Sequence, residues 1–176
     1  MAKALIIAEK PSLGRSIVSA LQWWKNEKFE RQGKDRNTWL ESDNYIVASS
    51  VGHLYELIDL DAYFPGYDPE KKPGWSMDRL PFFPDDWEFQ YEGKEKVKGL
   101  IRVINSLMNR KDVDVIYNAG DPDREGQRLV DEIIEHGLKT QKTIYRLWLP
   151  DTTNKTIKQA FETAKPNTGY VNFSSS

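Results

Sequence analysis

Residues 113–127 read VDVIYNAGDPDREGQ, and they decide the fold of this 176-residue chain. The first seven, Val113–Ala119, are mostly apolar and typical of a buried strand. An acidic turn follows at residues 120–127. Beyond it, apolar residues recur at the spacing of one helical face: Leu129, Val130, Ile133, Ile134 and Leu138. The stretch therefore predicts a buried strand that passes through an acidic turn into an amphipathic helix.

Three carboxylates stand close together in the acidic turn. Asp121 and Asp123 point to the same side of an extended segment, and Glu125 leans over the same space. At about 6 Å and an effective dielectric constant of about 20, each pair costs roughly 2.8 kcal/mol of repulsion. A proton, a basic partner or a hard cation such as Mg2+ would relieve it. The alternative is a solvated acidic turn whose carboxylates cap the helix and oppose its dipole.

A second acidic residue stands at the end of another predicted strand. The apolar run Lys3–Ala8 is followed by Glu9, and a helix with Leu13, Ile17 and Leu21 on one face starts at Pro11 or Ser12. Open α/β sheets bind ligands at the carboxyl ends of their strands. We therefore expect Glu9 to lie within reach of the acidic turn.

The remaining segments predict an α/β domain with a mostly parallel four-stranded sheet flanked by helices. Residues 23–36 are polar and predict a helix end and a loop, whereas residues 55–92 are rich in proline and aromatic residues and predict an irregular insertion. The other predicted elements are strands at 39–41, 45–50 and 143–149, and helices at 97–108 and 153–164.

Composition limits the function classes. Hydrophobic residues make up 39% of the chain, enough for a core, and the absence of cysteine excludes disulfides and thiolate metal sites. With a net charge of −2, the chain is a poor candidate for a protein that binds nucleic acid without help from other domains. The early apolar run is too short for a signal peptide or a membrane span, so we expect a cytoplasmic protein with no membrane partner.

Five stretches in this order resemble the Toprim domain of type IA DNA topoisomerases, in the topoisomerase III branch. Two carry the acidic residues: AEKPS at residues 8–12 and DPDREG at residues 121–126. The other three are GHL at 52–54, LPFFP at 80–84 and RLWL at 146–149. The resemblance covers essentially the whole chain and implies a Toprim-like (Rossmann-like) fold.

The resemblance also implies roles for individual residues. It places Mg2+ among Asp121, Asp123, Glu125 and Glu9, and it makes Glu9 the proton donor to the leaving 3′ oxygen of single-stranded DNA. Lys10 corresponds to a lysine that holds the scissile phosphate. The further candidate DNA-binding residues are Arg124, Arg146 and, as a minor candidate, His53. Arg124 is equally interpretable as a salt-bridge partner of the acidic cluster.

Two features depart from the family pattern. Gln127 stands where many relatives have glutamate, and none of the eight tyrosines is followed by x-Arg-Thr, the usual context of the nucleophile. We therefore expect a monomeric N-terminal fragment, inactive alone, whose catalytic tyrosine and other domains lie elsewhere in the same protein. Its divisions would be a Toprim domain at 1–150 and the start of a following domain at 151–176.

Two other functions are compatible with the sequence. One is a free-standing Toprim nuclease or primase-like enzyme that needs only metal-activated water. The other is a receiver-like signalling module in which an aspartate accepts a phosphoryl group beside Mg2+. Such modules usually carry an acidic pair after the first strand, whereas here Glu9 is followed by Lys10.

Overall fold

The computed structural model describes residues 2–57 and 91–167. The strands in these ranges are β1 (Lys3–Ala8), β2 (Glu30–Lys34), β3 (Asn37–Glu41), β4 (Tyr45–Ser49), β5 (Tyr55–Leu57), β6 (Tyr91–Gly93), β7 (Val113–Ala119), β8 (Thr143–Arg146) and β9 (Lys165–Pro166). The α-helices are α1 (Pro11–Lys25), α2 (Lys98–Met108), α3 (Arg124–Gly137) and α4 (Asn154–Glu162). Seven strands form one sheet in the order β2-β3-β4-β1-β7-β8-β9, while β5 and β6 pair separately.

Four parallel strands, β4, β1, β7 and β8, form the centre of the sheet and confirm the predicted α/β architecture. The central strand β1 is apolar on both faces, and its Leu5, Ile6 and Ile7 are fully buried, as expected where helices cover both sides. Ala8 is paired with Ser49 on one side and with Ala119 on the other. The carboxyl ends of β1, β4 and β7 therefore lie level at one edge, which we call the carboxyl edge.

The helices cover the two faces of the sheet in pairs. Because side chains alternate along β1, Ile6 and Ala8 pack into a core with residues of α1 and α4, whereas Leu5 and Ile7 pack into a core with residues of α2 and α3. The helices contribute mainly branched aliphatic residues to these two cores: Ile17, Leu21, Ile157, Ile104, Val130 and Ile133. The sheet is thus the middle layer of three.

The polar stretch predicted as a helix end and a loop is partly a strand, and this prediction was wrong. Residues 30–34 form β2, which pairs antiparallel with β3 through a turn in which Asp35 has a φ of 53°. β2 reads ERQGK and is largely exposed, so it has no hydrophobic alternation to reveal it. With β3 and β9 it extends the four parallel strands to seven.

The segment after residue 150 packs on the same three layers. Ile157 and Ala160 of α4 are buried in the core with α1, and β9 pairs antiparallel with β8. The predicted division at residue 150 stays a prediction. Most of the predicted insertion, residues 58–90, lies outside the described residues, and Leu57 and Tyr91 on either side of it are paired. None of the helices in the described ranges is long and apolar enough to cross a bilayer.

Candidate metal and nucleic-acid site

The candidate site lies at the carboxyl edge, between the ends of β1 and β7. These two strands are adjacent and parallel, with Ala8 opposite Ala119. From β1 the chain continues through α1 on one face of the sheet, and from β7 it continues through α3 on the other face. Helices that leave two neighbouring strands toward opposite faces open a crevice between them, which is where such sheets bind ligands.

Glu9 and the acidic turn meet in this crevice, as the strand ends predicted. The Glu9 Oε2 atom accepts a hydrogen bond of 2.8 Å from the backbone N–H of Asp121. Lys10 Nζ lies 3.3 Å from Asp121 Oδ2, and its side chain is 53% exposed. Two separate strand ends therefore meet: the Glu9 carboxylate contacts the Asp121 backbone, and the Lys10 ammonium contacts the Asp121 carboxylate.

Asp123 acts as the N-cap of α3. Its backbone is extended, and its Oδ1 atom accepts a hydrogen bond of 2.6 Å from the N–H of Gly126. The capping interpretation of the acidic turn is thus correct for this residue. Since one carboxylate oxygen is enough for a cap, capping and cation binding by the same side chain are compatible.

Two glycines allow the close packing of the turn against Glu9. A Cβ atom on Gly126 would lie 2.8 Å from Glu9 Oε2 and 2.5 Å from the backbone N of Asp121. A Cβ atom on Gly120 would lie only 2.1 Å from the carbonyl oxygen of Gly126. Since real Cβ atoms do not approach heavy atoms this closely, both positions require glycine for the turn to keep its shape.

Arg146, predicted as a DNA contact, is directed into the acidic turn from β8. Its Nη1 atom donates to the carbonyl of Gly120 at 3.1 Å and to Asn118 Oδ1 at 2.8 Å, and its Nη2 donates to the carbonyl of Asp121 at 2.7 Å. Burial lowers the pKa of Arg146, and nearby carboxylates, Asp131 foremost, act against that fall. The guanidinium thus places positive charge beneath the acidic turn.

Asn118 is the site residue that sequence reasoning missed. It is fully buried at the end of β7 and touches both Arg146 and the backbone of Gly120. The available signal was a polar side chain within an otherwise apolar stretch, directly before the acidic turn.

The other predicted residues lie at the rim of the site. Glu125 is 84% exposed, with Oε1 3.9 Å from His53 Nε2, and the His53 Nδ1 atom lies 3.5 Å from Glu132. Arg124 is exposed at the first turn of α3 and forms no ion pair with the acidic turn in the described part of the chain. The structure therefore brings together Glu9, Lys10, Asp121 and Arg146, and it leaves Glu125, Arg124 and His53 outside this contact.

The oxygen donors at the crevice suit a hard cation. Mg2+ binds in proteins through one or two carboxylates and keeps several water molecules. The carboxylates of Glu9, Asp121 and Asp123 provide such donors around the two strand ends. Across residues 2–57 and 91–167, however, no three acidic or histidine side chains are grouped closely enough to hold an ion by themselves. The donor set fits Mg2+ bound largely through water, without a preformed cage.

Comparisons with known proteins agree with this architecture. The family model of the Toprim domain matches residues 4–152. Proteins named DNA topoisomerase 3 are also similar. That of Bacillus anthracis is 35% identical over 98% of this chain, that of Bacillus subtilis is 33% identical over 98%, and that of Haemophilus influenzae is 35% identical over 95%.

The matches cover a small part of each relative. This chain spans 21% of the two Bacillus proteins and 24% of the Haemophilus protein. The resemblance inferred from the five sequence stretches is confirmed at the level of the family.

Proposed function

Because the chain belongs to the Toprim domain family, we propose that it is the Mg2+-binding part of a type IA DNA topoisomerase III. In this proposal the whole protein cuts and rejoins single-stranded DNA by transesterification, to relax or unlink DNA. The attacking tyrosine lies outside this chain. The observation that supports the proposal best is the hydrogen bond of Glu9 to the backbone of Asp121, which joins two acidic strand ends.

The proposed metal ligands are Asp121 and Asp123, with Glu9 and Glu125 completing the acidic ring through bound water, since no three described carboxylates are grouped closely enough to hold the ion directly. Bound Mg2+ would supply positive charge to the carboxylates and to a DNA phosphate. The resemblance to the family makes Glu9 the group that would donate a proton to the leaving 3′ oxygen as the phosphorus–oxygen bond breaks.

The proposed DNA contacts come from basic residues with different freedom of movement. Lys10 is half exposed and carries a flexible side chain, so it can reach a phosphate beside Asp121. Arg124 and His53 are exposed at the rim and suit contacts to neighbouring phosphates. With a net charge of −2, the chain depends on Mg2+ and on the other domains of the protein for DNA affinity. A monomeric state and a cytoplasmic location belong to the same proposal.

The metal site is tested by titrating Mg2+ into the 15N-labelled chain. We expect the amide resonances of Asp121 and Gly126 to shift in a saturable way by tens of millimolar Mg2+, and to shift far less in the Asp121→Asn and Asp123→Asn variants. Asp114→Asn is the matched control, since Asp114 is an exposed carboxylate at the far end of β7. No response at the acidic turn, or an equal loss in the control variant, would contradict the metal site.

A second candidate function is a metal-dependent nuclease that needs no tyrosine. Its support is the placement of Tyr117 and Tyr145, whose rings stack on the sheet with their centroids 5.6 Å apart. Burial also raises the pKa of Tyr117. Neither is bonded to the acidic turn, so a water activated by the metal would be the nucleophile. Incubation with labelled single-stranded DNA and Mg2+ or Mn2+ separates the two functions. Cleavage that Asp123→Asn abolishes supports the nuclease, and intact DNA supports the topoisomerase fragment.

A further inference from the structure

Asn118 joins the acidic turn to two other elements of the fold. Its Oδ1 atom accepts hydrogen bonds from the N–H of Gly120 at 3.0 Å and from Arg146 Nη1 at 2.8 Å. Its Nδ2 atom donates to Asp131 Oδ1 of α3 at 2.6 Å. Gly120 N–H and the guanidinium can only donate and a carboxylate can only accept, so these partners fix which end of the amide faces which neighbour. Asn118 therefore has one orientation, shared between β7, β8 and α3.

The Asp121 backbone is held from both sides. Its carbonyl accepts from Arg146 Nη2 at 2.7 Å, and its N–H donates to Glu9 Oε2 at 2.8 Å. Arg146 Nη1 is held beneath the turn by Asn118 Oδ1, its shortest contact at 2.8 Å, and by the backbone carbonyls of Asn118 at 3.2 Å and Gly120 at 3.1 Å. A continuous chain of contacts therefore connects the Asn118 side chain, through Arg146, to the Asp121 backbone that Glu9 contacts.

Asp131 anchors this chain of contacts on α3. Besides Asn118 it accepts from Asn167 Nδ2 at 2.9 Å, which links α3 to the residue that follows β9. Its negative charge faces the buried guanidinium of Arg146, and it is foremost among the carboxylates that oppose the loss of charge on that group. The anchor thus supplies both a fixed acceptor and a counter-charge.

We propose that Asn118 and Asp131 are positioning residues: through Arg146 they hold the Asp121 backbone against Glu9 and so fix the spacing of the two carboxylates that would share the cation. The part of this inference that concerns the cation rests on the proposed function. The part that concerns the Asp121 backbone is independent of it.

The test combines a disrupting variant with one that restores the contacts. Asn118→Leu removes the amide. The double variant Asn118→Asp/Asp131→Asn exchanges the two groups: the new carboxylate accepts from Arg146 and Gly120, and the new amide nitrogen, in the place of Asp131 Oδ1, donates to it. Because Asn167 Nδ2 donates to that same Oδ1 atom in the wild type, the Asn167 amide has to turn so that its own oxygen accepts from the new nitrogen. Asp131→Ala is the milder disruption, because Asp131 is only partly buried and the Asn118 side chain stays in place.

The readout is a ratio of two hydrogen-exchange rates. The rate at the Asp121 amide is divided by the rate at the core amide of Ile116. We expect Asn118→Leu to raise this ratio about tenfold and Asp131→Ala to raise it severalfold, the effect of losing a buried hydrogen bond to a charged partner. We expect the double variant Asn118→Asp/Asp131→Asn to return the ratio to within about twofold of the wild-type value. The Mg2+ response at Gly126 should weaken and recover in parallel.

Asn109→Leu is the matched control for a merely structural network. Asn109 also bridges two elements, because its Nδ2 donates to the carbonyl of Gly137 and its Oδ1 accepts from the N–H of Lys139. Asn109 is the C-cap of α2 and lies beside the C-terminal end of α3, far from the acidic turn, so its loss should lower stability without changing the Asp121 ratio. The proposal is overturned if Asn109→Leu raises the ratio as much as the Asn118 and Asp131 variants, or if the double variant does not restore it. If the ratios change as expected but Mg2+ does not shift the amide resonances of the wild-type chain, the proposed function is contradicted and the positioning role is supported.

Discussion

Glu41 provides a test of fold stability at the end of the sheet opposite the acidic turn. Its carboxylate accepts hydrogen bonds from Lys3 Nζ at 2.7 Å, from both Nη atoms of Arg110 at 3.0 Å and from Trp39 Nε1 at 2.9 Å. Burial raises the pKa of Glu41, but the hydrogen bonds from Arg110, Lys3 and Trp39 outweigh burial and lower the pKa from 4.5 to about 2. We expect Glu41→Gln to destabilise the protein in a way that depends on pH.

The size and direction of the effect follow from this pKa. A fall from 4.5 to about 2, at about 1.4 kcal/mol per pH unit, corresponds to roughly 3.4 kcal/mol at neutral pH as an upper limit. Because the folded-state pKa is lowered, this stabilisation is complete above about pH 5.5 and is lost as pH falls toward 2, with roughly 1.4 kcal/mol left at pH 3. Arg110 is 29% exposed, and water screens part of the interaction, so we expect a loss of about 2–3 kcal/mol at pH 7.

The assay is urea unfolding of wild type and Glu41→Gln at pH 7, 5 and 3, followed by far-UV circular dichroism. The control is Glu162→Gln, which removes an exposed pair with Lys158 at 4.0 Å and should cost less than about 0.5 kcal/mol. The difference between wild type and Glu41→Gln should shrink by more than half between pH 7 and pH 3. A difference that stays constant over this range would refute the assignment of the low pKa to Glu41.

Three further substitutions probe the site and its surroundings. Gly126→Ala places a methyl group 2.8 Å from Glu9 Oε2, so urea unfolding should show a free energy of unfolding lower by about 1–3 kcal/mol. The Mg2+ response should weaken as well. Wild-type values for both would mean that the turn is not tightly packed. Lys10→Met removes the ammonium 3.3 Å from Asp121 and should tighten Mg2+ binding about two- to fivefold in the NMR titration, whereas weaker binding would mean that Lys10 does not compete with the cation. Thr153→Ala removes the N-cap of α4 and should cost about 1 kcal/mol in thermal unfolding; an unchanged melting temperature would contradict that cap.

The parts of the fold that could be predicted are those with a strong apolar period. Val113–Ala119 is a buried strand, and the apolar face of α3 recurs at helical spacing, so both were visible in the sequence. Glu9 could be placed beside Asp121 because both follow strands of one parallel sheet, whose carboxyl ends share an edge.

The parts that could not be predicted depend on partners far away in the chain. β2 is polar and exposed and is held by its pairing with β3, and β9 is two residues long and is held by β8. The burial of Asn118 follows from the approach of Arg146, 28 residues later, and of Asp131 on the next helix. No local pattern encodes such contacts, because they depend on how separate elements pack.

The charges at the acidic turn are balanced from two directions, by a buried guanidinium and by an exposed ammonium group. Arg146 is buried and donates to the backbone carbonyls of Gly120 and Asp121, so it holds the turn without occupying a carboxylate. Lys10 is half exposed and contacts the Asp121 carboxylate itself. In the proposed site, a hard cation bound to this carboxylate would compete with Lys10 and leave the contacts of Arg146 intact. The displaced ammonium group would then lie next to the site, where the proposed function has it contact a phosphate.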